Sequence, residues 1–183
     1  MSTRTKGASQ QQLDENTLRV VFYFVERLNG VLGKTHLQKL LFLTDLLAAK
    51  KLKTKVSALN YKRYKHGPFS DEVDLYTAHL AKGGNIDIRE FPFNSDPKKK
   101  YVRYFVKSAG SVREKLLSEL GTEKVMLLDE IVSSYGNLSL NSLLDIVYKL
   151  PEVKDKEMND ILDVAKTIDS EEEETEEAHF DVL

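Results

Sequence analysis

The side chains best suited to chemistry in this chain are not spaced for it. None of the four histidines stands three or four positions from another; they are His36, His66, His79 and His179. Histidines that share a metal ion on one helix need that spacing, and the chain has no Cys to act as a thiolate ligand or nucleophile. We therefore predict that the protein is not an enzyme, with no catalytic residues, metal site, cofactor or small-molecule substrate.

Two other segments have a spacing that suggests mutual contact. Gln38 and Asp45 are seven positions apart, which places them on one face of a helix. Gly67-Pro68 predicts a rigid turn, Phe69 a core anchor, and Ser70 the N-cap of the following helix. We predict that the two polar side chains hold this turn through backbone hydrogen bonds, the alternative being that both are ordinary exposed residues.

Hydrophobic spacing predicts the elements that position these residues. Apolar residues recur at helical intervals over 13–28, after Gly33 with Thr35 as N-cap, and after Ser70. Residues 86–107 alternate and contain turn residues, which predicts a β-hairpin. Helical spacing returns from 112 to 150, where Pro151 stops it, and a last weak helix is predicted over 155–168.

This pattern predicts a mainly α fold class with a small β-hairpin. Three helices followed by a hairpin are similar to a winged-helix arrangement, with further helices towards the C-terminus. We assign 1–12 to a disordered N-terminus, 13–168 to one helical domain, and 169–183 to a disordered acidic tail. No stretch of about 18 apolar residues and no signal-like N-terminus is present, so we expect a cytoplasmic protein without membrane attachment.

Three segments in order carry a resemblance to a known family. They are a Leu-Gln-Lys-Leu helix, a Tyr-x-x-Gly-Pro-Phe-Ser turn, and a later helix ending at Tyr135-Gly136 before Leu138-Ser139. Together they resemble the SocA-like antitoxin family, or Panacea domain, to which YwgA-like proteins are similar. The resemblance covers roughly residues 34–150 and assigns these motif residues: Leu37, Gln38, Lys39, Leu40, Asp45, Gly67, Pro68, Phe69 and Ser70. It implies a protein-binding domain without catalysis, which neutralises a toxin or serves as a proteolytic adaptor.

Charge is distributed unevenly along the chain. Residues 169–183 hold eight acidic side chains and no Lys or Arg, whereas residues 1–168 hold 27 basic and 21 acidic side chains, an excess of six. Two basic stretches on the body are candidates for contact with a polyanion. Their candidate residues are Lys62, Arg63, Lys65, Lys98, Lys99, Lys100 and Arg103. In the tail, Phe180 and Leu183 are candidate apolar anchors for docking.

Three functions follow from these observations. The main hypothesis is an accessory subunit of a DNA- or RNA-handling complex, such as a replication polymerase, whose acidic tail modulates binding by the basic body. The first alternative is the antitoxin or proteolytic adaptor that the resemblance implies. The second is a winged-helix regulator, although Asp71, Glu72 and Asp74 at the start of the third helix would repel DNA phosphates. A protein partner is expected, and nucleic acid would bind through the hairpin.

Overall fold

The computed structural model describes residues 13–107 and 112–167. In that part of the chain seven helices and five strands form. The helices are α1 (Glu15–Arg27), α2 (Lys34–Leu52), α3 (Val73–Lys82), α4 (Val112–Leu120), α5 (Thr122–Tyr135), α6 (Leu140–Tyr148) and α7 (Pro151–Lys154). The strands are β1 (Tyr61–Tyr64), β2 (Gly67–Phe69), β3 (Ile86–Phe93), β4 (Asp96–Val106) and β5 (Ile161–Leu162). The predicted mainly helical class with a β-hairpin is confirmed.

Helix α2 is the centre of the fold. It is buried on nearly every side, as expected for a helix without a continuous polar face, and it packs against α1, α5, α6 and strand β2. Leu37, Leu40 and Phe42 are fully buried within it. The helix begins after Gly33 and ends at Lys53, whose left-handed backbone turns the chain away. The polar side chains in the middle of α2, Gln38, Lys39, Thr44 and Asp45, are therefore held inside the protein.

Strands β3 and β4 form the long hairpin that alternation predicted. The strands pair antiparallel from Ile86 opposite Val106 to Pro92 opposite Lys100, with a bulge between Pro92 and Phe93. The hairpin is fixed to the α1–α2 loop, because the Gly30 amide donates to the Tyr104 carbonyl at 2.9 Å. The base of the hairpin is thus part of the core, while its tip extends beyond it.

A small antiparallel sheet, in the order β2-β1-β5, corrects two predictions. Gly67 and Pro68 lie in strand β2, and the turn that precedes them is formed by Lys65 and His66. Residues 155–165 do not form the last helix that was predicted over 155–168, because Ile161–Leu162 pair with β1 as strand β5. Backbone pairing with a distant strand outweighs the weak helical spacing of this segment.

Helix boundaries also differ from those predicted. Thr35 lies within α2, whose N-cap is Gly33, and Ser70 lies three residues before α3, whose N-cap is Glu72. Pro151 begins the short helix α7, as proline suits the first helical position. No helix in the described ranges is long and apolar enough to span a membrane. The described residues also include no group of three His, Cys, Asp or Glu arranged to hold a metal.

Candidate functional site

Gln38 is the residue that joins α2 to the β1–β2 hairpin. Its amide nitrogen donates to the Ser70 carbonyl at 2.9 Å, and its amide oxygen accepts from the Ser70 backbone N–H at 2.8 Å. Both residues are 1% exposed. This reciprocal pair satisfies two backbone groups that would otherwise be buried without partners. Gln38 therefore bonds the backbone as predicted, but at Ser70 and not at Gly67-Pro68, and the exposed-residue alternative is wrong.

Asp45 does not reach the Gly67-Pro68 segment, so that prediction is wrong. Its carboxylate is fully buried and accepts from the backbone N–H groups of Val56 and Ser57 at 2.9 and 2.8 Å. It also accepts from the Ser57 hydroxyl at 2.5 Å and the Tyr61 hydroxyl at 2.8 Å. Burial raises the pKa of Asp45, and these bonds oppose that rise. Asp45 therefore closes the loop between α2 and β1.

Lys39, the next residue of the same motif, is buried although it carries a charge. Its ammonium donates to the Pro68 carbonyl at 2.6 Å, and the residue is 2% exposed. Burial, followed by the nearby charge of Arg63, lowers the pKa of Lys39 to about 7. Gly67, beside the Lys39 stem, has φ +84°, a backbone conformation that favours glycine.

Phe69 is only partly buried, so its predicted role as a core anchor is wrong. Its ring lies 5.3 Å from the Tyr64 ring, and Tyr64 is 37% exposed. The Lys34 and Lys62 ammonium groups stand 6.0 and 5.9 Å from the Phe69 centroid. Pairing with β1 turns this side chain outwards, and the result is an aromatic surface flanked by cations.

Two cavities meet at the first turn of α2. The inner one, of about 360 Å³, extends from that turn to the β1–β2 hairpin; it is lined by Lys34, Thr35, Gln38, Lys39, Tyr64, His66, Gly67 and Phe69. The outer one, of about 440 Å³, shares Lys34 and Thr35 and extends to the β3–β4 hairpin, where Phe93, Lys100, Tyr101 and Arg103 line it. We call the two together the two-hairpin cleft.

The two-hairpin cleft is lined by basic and aromatic side chains. Among the described residues, four cations and two histidines line it and no carboxylate does. On the β3–β4 side, the Tyr101 ring lies 5.7 Å from Phe91 and 5.0 Å from Phe93, and the Arg103 guanidinium is 5.4 Å from it. Tyr, Phe and Arg are enriched at protein interfaces and at their hot spots. The cleft is therefore suited to an acidic and apolar protein surface.

Comparison with protein families adds the decisive observation. The family model described as "Antitoxin SocA-like, Panacea domain" matches residues 37–152, well over half of the chain. The chain belongs to this family. The predicted resemblance is confirmed, and the matched range begins at the Leu-Gln-Lys-Leu segment whose side chains Gln38 and Lys39 hold β2. Searches of curated proteins and of solved structures gave no match.

The third family segment, at Tyr135-Gly136 and Leu138-Ser139, contacts the first turn of α2. Gly136 packs against α1, since a Cβ there would lie 2.8 Å from Leu28 Cδ2, and Ser139 caps α6 by accepting from the Ser142 N–H. The His36 Nε2 atom lies 2.9 Å from the Leu138 carbonyl oxygen. This segment thus fixes the first turn of α2 against α6.

Most of the candidate polyanion-binding residues already have partners in the Panacea domain. Lys62 pairs with Asp71 at 2.6 Å, Lys99 with Asp96 at 3.6 Å, and Lys100 with Glu90 at 2.8 Å. Arg63 lies 4.9 Å from the Tyr148 ring, and Arg103 donates to the Gly30 carbonyl at 3.1 Å. Lys65 and Lys98 are exposed. The structure brings only Lys100 and Arg103 of this set into the cleft.

Sequence reasoning missed several residues of the cleft. Lys34, Tyr64, Phe93 and Tyr101 were not singled out, although aromatic and basic residues alternate along the hairpin and could have indicated an interacting face. The proposed tail anchors Phe180 and Leu183 lie outside the described residues, as do residues 1–12. Their roles stay predictions.

Proposed function

We propose that this chain is a non-enzymatic antitoxin that neutralises a protein partner by binding it in the two-hairpin cleft. Membership of the Panacea family supports a protein partner. The observation that carries the proposal is the lining of the cleft, which combines aromatic rings and cations without a carboxylate. A toxin surface that presents acidic and apolar side chains would complement it in charge and shape. The complex would form in the cytoplasm.

The geometry of the cleft favours binding over reaction chemistry. Lys39, whose pKa is lowered by burial, and His36 both bond backbone carbonyls, and no hydrogen bond is seen between a hydroxyl and a histidine among the described residues that line the cavities. One wall, the β1–β2 hairpin, is tied to α2 by the bonds of Gln38 to Ser70 and of Lys39 to Pro68, and the other, the β3–β4 hairpin, is tied to the α1–α2 loop by the Gly30–Tyr104 bond. Pre-formed walls lower the ordering cost of binding a partner.

The test is capture of the partner followed by a growth assay. Tagged full-length protein would be purified from its native cells, beside a Phe93→Asp variant and a Leu75→Asp control. Phe93 is 43% exposed in the cleft, and Leu75 is 49% exposed on α3 outside it. We expect one protein to be retained by wild type and control and lost by Phe93→Asp. When the retained partner is expressed alone it should arrest growth, and co-expression of this chain in its wild-type form should relieve the arrest.

Two results would overturn the antitoxin proposal. A partner that binds the Phe93→Asp variant as well as wild type would place the interface elsewhere. A partner that binds through the cleft but has no effect on growth would not be a toxin. The chain would then be a binding domain of another kind, such as a proteolytic adaptor. In that case the abundance of the partner should change when this chain is removed, and immunoblotting would measure it.

A second candidate function is accessory binding in a DNA- or RNA-handling complex, as a subunit of a replication polymerase for example. The aromatic cluster of Phe91, Tyr101 and Phe93, in which Phe93 is exposed, favours it, since nucleic-acid bases stack on exposed rings. Reversing the charges of Lys98, Lys99 and Lys100 should then weaken binding to a single-stranded oligonucleotide and flatten its salt dependence. An unchanged salt slope with binding intact would remove the hairpin from this function.

A further inference from the structure

Lys39 lies at the inner end of the two-hairpin cleft without a counter-ion. An ammonium group has three N–H donors, and the Pro68 carbonyl at 2.6 Å is the one acceptor recorded for it within the described part of the chain. The residue is 98% buried, yet it lines the inner cavity. A buried charge is normally paired, and no acidic side chain among the described residues lines this cavity.

The charged and titratable groups around Lys39 are cationic or neutral. Lys34 and His66 line the same cavity from the start of α2 and from the β1–β2 turn, and Tyr64 lines it from β1. The positive charge of Arg63 on β1 helps to lower the pKa of Lys39. The Tyr148 ring of α6 lies next to Gly67. The acids on α3 and before it have other partners: Asp74 pairs with Lys34, Asp71 with Lys62, and Glu72 accepts from the Asn60 N–H.

We propose that the inner cavity receives a carboxylate side chain, Asp or Glu, from the protein partner, with Lys39 as its counter-ion. This inference rests on the proposed function, because it names what the cleft recognises. The two remaining N–H donors of Lys39 would bond the carboxylate oxygens. The tilted Tyr64 and Phe69 rings, 5.3 Å apart, would pack against the aliphatic part of the incoming residue.

The enclosure of the cavity favours a carboxylate over a phosphate of nucleic acid. A phosphodiester continues into sugars on both sides and needs an open groove, whereas this cavity of about 360 Å³ is bounded by two aromatic rings and a backbone strand. Burial lowers the pKa of Lys39 to about 7, and a bound carboxylate would raise it again. Binding should therefore be accompanied by proton uptake at Lys39 above pH 7.

The experiment compares two capped peptides on the full chain. The probes are acetyl-Phe-Glu-Phe-amide and acetyl-Phe-Gln-Phe-amide, which differ only in the charge of the central residue, and NMR titration would give their dissociation constants. We expect about tenfold tighter binding of the Glu peptide, since a charge-assisted hydrogen bond is stronger than a neutral one by that order. Its affinity should fall as pH rises from 7 to 9, where the Gln peptide should show little change.

Two variants assign the effect to Lys39. Lys39→Met keeps the length of the stem and should reduce the preference for Glu to less than twofold and abolish the pH dependence. Lys65→Met removes an exposed lysine from the adjacent turn and should leave both unchanged. Circular dichroism and thermal unfolding of each variant would establish that it is folded.

Several outcomes would overturn the inference. These are equal binding of the two peptides, no binding of either at millimolar concentration, or an unchanged preference in Lys39→Met. Tighter binding of a single-stranded oligonucleotide than of the Glu peptide, lost in Lys39→Met, would assign the cavity to phosphate instead. The proposed function fails separately: a partner indifferent to Phe93→Asp refutes it even if the Glu peptide binds, and a partner lost by Phe93→Asp but retained by Lys39→Met refutes only the carboxylate site.

Discussion

Lys39 should make the stability of this protein rise with pH. Its pKa is about 7 in the folded chain, against 10.5 for an unperturbed lysine. Between these values the unfolded chain binds more protons than the folded one, so raising the pH favours the folded state. Integrating this difference gives a gain of about 2 kcal/mol in the free energy of unfolding between pH 7 and pH 9, at about 1.4 kcal/mol per pKa unit.

Urea unfolding of wild type and Lys39→Met at pH 7, 8 and 9 would measure this effect. Because other titrating groups are common to both proteins, the difference in free energy of unfolding between them isolates Lys39. That difference should shift by about 2 kcal/mol in favour of wild type over the range. Lys65→Met is the matched control, since it removes an exposed charge, and its difference from wild type should stay constant. If the difference in free energy of unfolding between Lys39→Met and wild type also stays constant with pH, the claim that Lys39 is buried without a counter-ion is refuted.

Three further changes test the packing of the domain by urea denaturation. Gln38→Met should lower the free energy of unfolding by about 2–4 kcal/mol, because it leaves the amide and carbonyl of Ser70 without partners. Leu40→Ala should cost about 2–5 kcal/mol, as Leu40 is fully buried; a loss below about half a kcal/mol would contradict its central position. Gly30→Ala should cost more than Gly84→Ala by at least about 1 kcal/mol, since both have positive φ but only the former places its Cβ 2.7 Å from a ring carbon of β4. Equal losses for the two glycines would show that the hairpin moves freely.

Much of the fold follows from local pattern, because long helices and alternating strands carry their periodicity in sequence. Helix α2, the β3–β4 hairpin and the contact of Gln38 with the segment after Pro68 were all predictable. The short sheet was not, since β1 and β2 span four and three residues and show no alternation. Strand β5 was mistaken for helix because Met158, Ile161, Leu162 and Ala165 have helical spacing. Pairing with β1, about a hundred residues away, overrides that local signal.

The candidate site was harder to predict than the fold. Lysines on predicted helices are usually solvated, and only the three-dimensional path of β2 places Lys39 beneath Pro68. The cleft joins Lys34 to Phe93 and Tyr64, which stand on three separate segments of the chain. Ion pairs such as Lys62–Asp71 and Lys100–Glu90 also reduced the basic surface that counting charges had suggested. Proximity of this kind arises from tertiary packing and has no local signature.

Strand β5 has a consequence for how the domain can be cut. The family match ends at residue 152, yet Val153, Leu162 and Val164 are buried in the core and β5 covers the outer edge of β1. A fragment that stops at the family boundary would expose that edge, whose free N–H and C=O groups can pair with another chain. During synthesis, too, the β2-β1-β5 sheet, which carries Tyr64 of the inner cavity, is completed only after residue 162 leaves the ribosome. A fragment intended to bind a partner should therefore extend at least to Val164.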